Sequence, residues 1–384
     1  MDFFRIEGGV PLQGEFHVNG AKNAALPIMA ASILLNGKVT IKNIPILRDT
    51  RTMLKLLHTL GVKSDFTDHS VEIDSSGELQ HQAPYELVKT MRASIYAMGP
   101  LLARDGYAEV AFPGGCSLGV RPIDLHLKGF EKLGASIEIN EGNIIARTDK
   151  LKGAEIFLDF PSVGATANLI MSAVFAEGET VIKNAAKEPE IDDLINFLNK
   201  AGAIIEKKGS TILIKGVTSL KNSFEYSIIP DRIELGTVIS AVLATRGEAK
   251  LLWGTDDYIS SVREKLHETG ASVEYKEGDY FVSGKDMKSN MEIKTQPYPG
   301  FPTDLQPPIG SFLCTVKGSS IIHESIFENR FMWVPELNRM GAHIKNDENT
   351  IFIQGGKPLK GAPVMASDIR AGAALIVAAL AAKS

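Results

Sequence analysis

Ten residues at 113–122 place a thiol and a guanidinium on a segment that cannot form a regular helix or strand. They read Pro-Gly-Gly-Cys-Ser-Leu-Gly-Val-Arg-Pro, with three glycines and two prolines. Cys116 and Arg121 are five residues apart, and a nearby cation favours the thiolate form of cysteine and stabilises anions. The segment follows a strand-like run at 107–112 and precedes an amphipathic helical pattern at 123–133. This pattern predicts a reactive cysteine on a loop; the alternative is a tight turn with an unreactive, buried cysteine.

Polar residues recur where each long apolar helix is predicted to begin. Helix N-termini offer unpaired N–H groups and a positive dipole end, which suit phosphates and carboxylates. Lys22 and Asn23 interrupt an apolar run, a poor place for a purely structural ammonium group. Taken singly, each Ser, Thr or Asp is more simply an ordinary N-cap and each arginine a surface ion pair. Lys22, Arg92 and Arg370, together with Arg121, provide several cations for an anionic ligand, for which His126 and Glu188 are weaker candidates. The helix starts are Lys22-Asn23, Arg92-Ala-Ser94, Ser162-Val163-Gly164, Asp231-Arg232, Thr303-Asp304 and Asp368-Ile369-Arg370.

The elements that must position these residues repeat with a period of about seventy residues. In one series, each apolar helix is predicted to end at a glycine that precedes a strand. These glycines, spaced by 69, 72, 69 and 71 residues, are Gly37, Gly106, Gly178, Gly247 and Gly318. A second series, with spacings of 73, 68, 68 and 71 residues, ends at Gly61, Gly134, Gly202, Gly270 and Gly341. Glycine after a helix is the usual left-handed cap, so its recurrence predicts a structural repeat. Each unit reads as helix, strand, helix, strand, with one or two further strands.

The repeat predicts an α/β protein that closes into two compact bodies of three units each, since neither end carries the polar capping unit of an open solenoid. The first domain is expected at 22–229, with the Cys116 loop. The second is expected to combine 1–21 and 230–384 and to carry Asp304. Five units are complete, whereas the sixth stops before the glycine that would follow its first helix, which the period places at about position 388.

The composition is that of an ordinary globular protein, with 44% hydrophobic and 23% charged residues. A net charge of -5 gives no general footprint for binding nucleic acid. The two cysteines, Cys116 and Cys314, show no zinc or redox spacing, which favours a reduced, cytoplasmic compartment. No signal peptide is evident, and the apolar run at 371–382 is too short to span a bilayer, so we expect a buried helix there.

Several of these segments match one family in order along the chain. The chain resembles the UDP-N-acetylglucosamine 1-carboxyvinyltransferases, the enolpyruvyl transferases that begin peptidoglycan precursor synthesis. The related enzymes that act on shikimate 3-phosphate share the repeat architecture but lack the cysteine loop. The matching segments are Asn19-Gly-Ala-Lys22-Asn23-Ala-Ala-Leu-Pro27, Lys89-Thr-Met-Arg92-Ala-Ser94, Pro113-Gly-Gly-Cys116, Arg121-Pro-Ile-Asp124-Leu-His126, Pro161-Ser-Val-Gly-Ala-Thr166, Glu188-Pro-Glu-Ile191, Phe301-Pro-Thr-Asp304, Ile326-Phe-Glu-Asn-Arg330 and Asp368-Ile-Arg370.

The resemblance implies the enolpyruvyl transferase fold: two inside-out α/β domains of three units each, with substrates in the cleft between them. It implies no metal or organic cofactor. The implied substrates are the small molecules phosphoenolpyruvate and UDP-N-acetylglucosamine. We expect a monomer, without nucleic-acid or membrane partners.

The resemblance also assigns residues to each substrate. Lys22 and Arg121 would hold phosphoenolpyruvate, because paired cations suit its phosphate and carboxylate. Arg330, Asp368 and Arg370 would form the other wall of the cleft. The sugar-nucleotide site would be lined by Asn23, Arg92, Pro122, Asp124, His126, Ser162, Val163, Gly164, Asp304 and Ile326.

The implied reaction adds the sugar 3-hydroxyl to C2 of phosphoenolpyruvate with protonation at C3, and then expels phosphate. Cys116 is the family's candidate for the acid and Asp304 for the base. Closure of the Cys116 loop would exclude water, as a lid does. The family is the target of fosfomycin, an epoxide that modifies the loop cysteine.

One departure from the family pattern leaves alternatives open. A third phosphate-holding arginine is expected in the second half of the sixth unit, roughly 35 residues that this sequence does not contain. The main alternative is therefore a non-catalytic or weakly active relative that binds UDP-sugars. A further alternative is an enolpyruvyl transferase that uses another acceptor, such as shikimate 3-phosphate.

Overall fold

The computed structural model describes residues 3–89, 91–112, 123–221, 223–285 and 287–383. Within these ranges the chain forms two compact units. The N-terminal unit comprises the described residues of 19–229, and the C-terminal unit comprises those of 3–18 and 230–383. The first strand, β1 (Gln13–His17), belongs to the C-terminal unit.

The N-terminal unit contains three successive repeats of helix and strand. Its helices are α1 (Lys22–Ala31), α2 (Arg48–Thr59), α3 (Tyr85–Val88), α4 (Met98–Asp105), α5 (Asp124–Lys132), α6 (Val163–Ala173) and α7 (Pro189–Lys200), with 3-10 helices at Ser32–Leu35 and Arg92–Ala97. Its strands are β2 (Lys38–Lys42), β3 (Lys63–Thr67), β4 (Ser70–Asp74), β5 (Gln82–Ala83), β6 (Tyr107–Ala111), β7 (Ser136–Asn140), β8 (Asn143–Arg147), β9 (Glu155–Phe157), β10 (Glu179–Lys183), β11 (Ile204–Lys208), β12 (Thr211–Lys215) and β13 (Ser223–Ser227).

The three sheets of this unit share one topology. Their strand orders are β13-β2-β4-β3, β5-β6-β8-β7 and β9-β10-β12-β11. In each sheet the outer strand pairs in parallel with the first strand of a repeat, and the last two strands form an antiparallel hairpin. Because β13 follows the third repeat but pairs with β2 of the first, the unit closes on itself.

Helices fill the interior of the unit, and the sheets cover it. Val39 and Ile41 on β2 are buried, whereas Lys38 and Lys42 on the other face of the strand are exposed. Small and apolar residues make up the central helices α1, α4 and α6, which join one hydrophobic core. This is the inside-out arrangement that the resemblance implied.

The C-terminal unit repeats the same plan. Its helices are α8 (Arg232–Ala244), α9 (Ser260–His267), α10 (Gln306–Thr315), α11 (Val334–Arg339) and α12 (Ile369–Ala381), with a 3-10 helix at Thr303–Leu305. Its further strands are β14 (Glu248–Leu252), β15 (Ser272–Lys276), β16 (Asp279–Ser283), β17 (Lys288–Ser289), β18 (Glu292–Lys294), β19 (Lys317–His323), β20 (Ile344–Asp347) and β21 (Thr350–Gly355). The sheets run β1-β14-β16-β15 and β17-β19-β21-β20, with β18 also beside β19. Helices α8, α10 and α12 pack against one another and form the core of this unit.

The glycine punctuation is confirmed for one series and partly wrong for the other. All five glycines of the second series have positive φ, between 79° and 103°. In the first series Gly106, Gly178 and Gly318 also have positive φ, but at the first and fourth positions the left-handed residue is the preceding Asn36 or Arg246. Gly318 lies inside β19, after the helix has ended at Thr315. Asparagine and, less readily, other residues can adopt this conformation, so glycine spacing locates a helix end only to within a few residues.

The apolar run near the C-terminus forms the predicted buried helix, α12, which begins at Ile369 and ends at Ala381. Over the part of the chain that the structure describes, no helix is both long enough and apolar enough to span a bilayer.

Candidate active site

A carboxylate paired with two arginines forms a charge cluster in the C-terminal unit. Asp304 lies in the 3-10 helix that precedes α10. Nη2 of Arg330 donates to its Oδ1 at 2.5 Å, and Nη2 of Arg370 donates to its Oδ2 at 2.8 Å. Arg330 is 2% exposed, whereas the side chain of Asp304 is 26% exposed. The carboxylate of Asp304 is therefore partly accessible, whereas the guanidinium group of Arg330 that binds it is buried.

The two arginines decide the charge of this carboxyl group. Burial acts to raise the pKa of Asp304, but the guanidinium groups of Arg370 and Arg330 outweigh it and hold the pKa well below its ordinary value. Conversely, burial acts to lower the pKa of Arg370, but Asp304 and Asp231 raise it above its ordinary value. Asp304 is therefore held as a charged carboxylate between two charged guanidinium groups.

The first turns of α8 and α12 bring further charge to the cluster. Asp231 and Asp368 are confirmed as N-caps: each accepts two backbone N–H bonds at the start of its helix, at 2.8 and 3.2 Å and at 2.9 and 3.1 Å respectively. Asp368 thereby fixes the turn that carries Arg370. Arg232 is buried, its guanidinium lies 5.5 Å from the ring centroid of Tyr298, and its charge acts on the pKa of Asp304. The sequence marked Arg232 as a helix start but not as a member of the site.

A buried carboxylate, that of Glu324, connects the segments on either side of Asp304. The hydroxyl groups of Thr295 and Thr303 each donate to it at 2.9 Å. The backbone N–H groups of Ile326 and Phe327 donate to it at 2.8 and 3.2 Å. Thr303 is thus not the N-cap that its position suggested; it anchors the turn before Asp304. Ile326, a predicted site residue, is held by the same carboxylate.

In the N-terminal unit, Lys22 has a carboxylate partner. It is the first residue of α1, and its Nζ lies 3.0 Å from Oδ2 of Asp49 near the start of α2. Both side chains are partly exposed, at 19% and 25%. Asn23 follows it, half-buried. Asp49 was not predictable as the partner, because an acidic residue in the first turn of a helix is common.

The start of α6 lies beside His126. Ser162 is confirmed as the N-cap of α6, since its Oγ accepts from the N–H of Ala165 at 3.3 Å. Gly164 packs closely against the ring of this histidine: a Cβ atom built on it would lie 3.3 Å from Nε2 of His126. Val163, with Ser162 and Gly164, completes a half-buried first turn. This turn offers N–H groups that have no partner within the helix.

Two charged residues act on His126. Burial lowers the pKa of His126 to about 4, with Asp124 acting to raise it and Arg92 to lower it further. Arg92 begins a 3-10 helix, not the α-helix expected there, which begins only at Met98. Asp124 is exposed and forms an ion pair with Lys128 at 3.6 Å.

Three predicted site residues, Cys116, Arg121 and Pro122, lie outside the described residues. The other cysteine, Cys314, is 3% exposed on α10, as predicted. Burial raises the pKa of its thiol to about 12. Among the residues that the structure describes, no three His, Cys, Asp or Glu side chains are grouped so as to hold a metal ion.

The chain matches a family model over nearly its whole length. Residues 6–384 match the EPSP synthase (3-phosphoshikimate 1-carboxyvinyltransferase) family. The UDP-N-acetylglucosamine 1-carboxyvinyltransferase of Lawsonia intracellularis is 51% identical, with 100% of this chain and 92% of the relative covered. The UDP-N-acetylglucosamine 1-carboxyvinyltransferase 2 of Carboxydothermus hydrogenoformans is 49% identical over 99% of this chain and 91% of its own. The chain belongs to the EPSP synthase family and, within it, to the UDP-N-acetylglucosamine 1-carboxyvinyltransferases.

Solved structures show that this carboxyvinyltransferase has the enolpyruvyl transferase fold. The enolpyruvyl transferase NikO from Streptomyces tendae superposes with a TM-score of 0.87 at 23% identity, covering 98% of this chain and 90% of its own. The EPSP synthase from Acinetobacter baumannii superposes with a TM-score of 0.73 at 18% identity, covering 98% and 91%. The chain is therefore an α/β transferase built from the repeated units described above.

Proposed function

We propose that this enzyme transfers the enolpyruvyl group of phosphoenolpyruvate to the 3-hydroxyl of UDP-N-acetylglucosamine and releases phosphate. In the first step the hydroxyl oxygen bonds to C2 of phosphoenolpyruvate, C3 takes up a proton, and the hydroxyl proton passes to a base. In the second step the C2–O bond to phosphate breaks and C3 gives up a proton, which restores the double bond. The reaction therefore needs an acid at C3, a base at the hydroxyl, and cations for phosphate and carboxylate.

The observation that carries this proposal is the Asp304 carboxylate, with Arg330 on one oxygen and Arg370 on the other. A base for a sugar hydroxyl and cations for an anionic co-substrate are thereby present together. The low pKa of Asp304 makes it a weak base while both arginines are paired with it. We infer that an anionic substrate group competes for Arg370, the more exposed arginine, and thereby raises the basicity of Asp304 when the hydroxyl is bound.

The remaining roles are assigned by position in the family's motifs. Lys22 and Arg121 hold phosphoenolpyruvate, because paired cations suit its phosphate and carboxylate. Cys116 supplies the proton to C3. Arg330, Asp368 and Arg370 form one wall of the site.

The sugar nucleotide is assigned to the helix starts and the loop that follows Glu324. The unpaired N–H groups at the start of α6 suit its diphosphate, in keeping with the anion-binding property of helix N-termini. The full set is Asn23, Arg92, Pro122, Asp124, His126, Ser162, Val163, Gly164, Asp304 and Ile326.

We further propose the cellular setting. The product is the first committed precursor of peptidoglycan, so the enzyme serves cell-wall biogenesis, cell shape and cell division. The enzyme acts in the cytoplasm as a monomer on its two small-molecule substrates, without a nucleic-acid or membrane partner.

A phosphate-release assay tests the function. The full chain is incubated with phosphoenolpyruvate and either UDP-N-acetylglucosamine, shikimate 3-phosphate or no acceptor. We expect phosphate release only in the incubation that contains UDP-N-acetylglucosamine as the acceptor. Mass spectrometry should then detect an enolpyruvyl ether on the sugar. Release with shikimate 3-phosphate alone would overturn the acceptor assignment. Binding of the nucleotide without release would favour a non-catalytic UDP-sugar-binding protein.

A further inference from the structure

One fully buried amide in the N-terminal unit connects three structural elements. Asn168 lies in the middle of α6, within the run 165–173 that is buried throughout, and is 0% exposed. Its Oδ1 accepts from the backbone N–H of Gly99 at 2.9 Å, and its Nδ2 donates to the carbonyl oxygen of Ile95 at 2.8 Å. Nδ2 also lies 3.1 Å from Nδ1 of His126. A polar side chain in an apolar core is costly unless it is paired, and this one is.

The two backbone partners fix which end of the amide is oxygen. A backbone N–H only donates, so the atom that faces Gly99 must be the acceptor Oδ1. A carbonyl only accepts, so the atom that faces Ile95 must be the donor Nδ2. An amide flip would break both bonds. The second N–H of Nδ2 is therefore directed at the imidazole of His126.

This orientation sets the protonation of the imidazole. Nδ1 of His126 must present a lone pair to the amide N–H, so in the neutral ring the proton lies on Nε2. If Nδ1 were protonated, its N–H group would face the N–H group of Asn168 Nδ2, with the two nitrogen atoms 3.1 Å apart. The low pKa of this buried histidine agrees with that geometry. Asp124 and Arg92 are the charged residues that act on the ring, and their effects oppose each other.

The Nε2–H group points to the start of α6. A Cβ atom on Gly164 would be 3.3 Å from Nε2, so the absence of a side chain there lets the first turn of α6 approach the ring closely. His126 is 6% exposed, yet within the described ranges its one hydrogen-bond partner is Asn168, at the other nitrogen. The Nε2–H group can therefore donate to an acceptor oxygen of a ligand bound at this turn.

We propose that Asn168 is a positioning residue that holds His126 as a neutral Nε2–H donor, directed at an acceptor oxygen of the sugar nucleotide bound at the first turn of α6. The proposal rests on the proposed function for the identity of the ligand. The tautomer itself does not depend on that function.

The tautomer is measured by long-range 1H–15N NMR on protein labelled at histidine, with the His126→Gln spectrum identifying the signals of His126. The expected result is a protonated Nε2 and an unprotonated Nδ1, unchanged between about pH 8 and pH 5.5, on either side of the ordinary histidine pKa. An Nδ1–H tautomer, or a ring that titrates across this range, would overturn the proposal.

The Asn168→Asp variant tests the consequence for binding. A carboxylate keeps the acceptor for Gly99 but cannot donate to Nδ1, so a neutral His126 should move its proton to Nδ1. We expect the affinity for UDP-N-acetylglucosamine to fall about tenfold at about pH 8, the equivalent of one hydrogen bond. The affinity should recover at about pH 6, where the imidazolium again carries a proton on Nε2. The wild-type affinity should stay nearly constant over the same range.

Ser172→Ala is the matched control. Ser172 lies one turn further along α6, and its hydroxyl donates only to the carbonyl oxygen of Asn168 among the described residues. This variant should bind the nucleotide like the wild type at both pH values. An Asn168→Asp variant that is folded and binds like the wild type at both pH values would overturn the positioning role. If UDP-N-acetylglucosamine binds no variant, including the wild type, the proposed function fails and the ligand assignment with it, while the NMR experiment still decides the tautomer.

Discussion

Asp304 and Arg370 are 66 residues apart in the sequence, yet Oδ2 of one lies 2.8 Å from Nη2 of the other. The second carboxylate oxygen is bonded to Arg330 in the same way. The candidate base and two candidate substrate-binding cations are thus one electrostatic unit. A change in any one of them alters the other two.

Replacing Asp304 with asparagine is expected to reduce kcat at least about a hundredfold, the low end of the contribution of a general base. The amide keeps the shape of the side chain but cannot accept the proton. Sugar-nucleotide affinity should change much less. Steady-state kinetics and titration calorimetry give the two values, and Asp347→Asn, an exposed carboxylate in the same unit, is the control. A variant that turns over like the wild type would remove Asp304 from the mechanism.

Replacing Arg370 with glutamine is expected to raise the pKa of Asp304 toward its ordinary value, because the largest cationic contribution is lost. A carboxyl group with a lowered pKa contributes stability above its unfolded-state pKa and loses it as the pH falls through the folded-state pKa. The wild-type carboxyl should therefore stay ionised well below about pH 4, the ordinary value. In the variant it should titrate near that value.

Carboxyl 13C NMR of aspartate-labelled protein follows this titration directly. Arg339→Gln is the matched control, since Arg339 is an exposed arginine of the same unit, with a side chain that is 60% exposed. A titration of Asp304 that is identical in the wild type and in Arg370→Gln would show that Arg370 does not control this carboxyl.

Glu324 should be needed for the geometry of the site as well as for stability. Glu324→Ala leaves the N–H groups of Ile326 and Phe327 without their acceptor. An unsatisfied buried donor costs about 1–3 kcal/mol, so we expect the free energy of unfolding to fall by about 3 kcal/mol. Glu324→Gln retains one acceptor oxygen and should lose about 1 kcal/mol. Because the Thr303 turn loosens in both variants, kcat should fall in both.

Urea unfolding and steady-state kinetics measure these two effects. Glu328→Gln, an exposed glutamate of the same loop, should change neither. If Glu324→Gln lowers stability but leaves kcat and KM unchanged, Glu324 holds the loop without positioning Asp304.

The repeat and most helix starts were predictable from the sequence because both depend on local rules. Apolar periodicity and recurrent glycine set the elements, and Asp231 and Asp368 follow the N-cap preference. Asn168 also carried a signal, as a polar residue inside the apolar run of α6.

The partners of the site residues were not predictable in the same way. Lys22 meets Asp49 across 27 residues, and Arg370 meets Asp304 across 66, so each pairing depends on how helices pack. Glu324 directly follows a β-strand, and in the sequence it cannot be distinguished from other polar residues at strand ends. Its role arises only when β18, β19 and the turn before Asp304 converge.

The two cysteines should differ sharply in reactivity. The thiolate is the nucleophile, and burial keeps Cys314 protonated at neutral pH. Fosfomycin, offered with UDP-N-acetylglucosamine, should therefore modify Cys116 alone, as read by peptide mapping. Cys116→Ser should abolish the adduct, whereas Cys314→Ser should leave it unchanged. An adduct on Cys314 would contradict the assignment.

Asp193 should make the stability of the enzyme depend on pH in an unusual direction. Burial raises the pKa of Asp193 to about 6, although the hydroxyl of Tyr226 and the N–H of Ile229 donate to it and act to lower it. Between the ordinary value of about 3.9 and this value, the folded state holds a proton that the unfolded state has released. The free energy of unfolding should therefore fall as the pH rises from about 4 to about 6, by roughly 2–3 kcal/mol, and the contribution should be constant above that.

Urea unfolding at several pH values isolates this effect when the wild type is compared with Asp193→Asn, which cannot ionise. The stability of the wild type relative to the variant should be greatest near pH 4 and should decline until about pH 6. Over this range only the wild type must either keep Asp193 protonated or bury its charge, and both cost free energy relative to the unfolded chain. Asp65→Asn, at an exposed position of the same unit, should show no such decline. A difference between wild type and Asp193→Asn that is constant from pH 4 to pH 7 would mean that Asp193 ionises in the folded protein as it does in the unfolded chain.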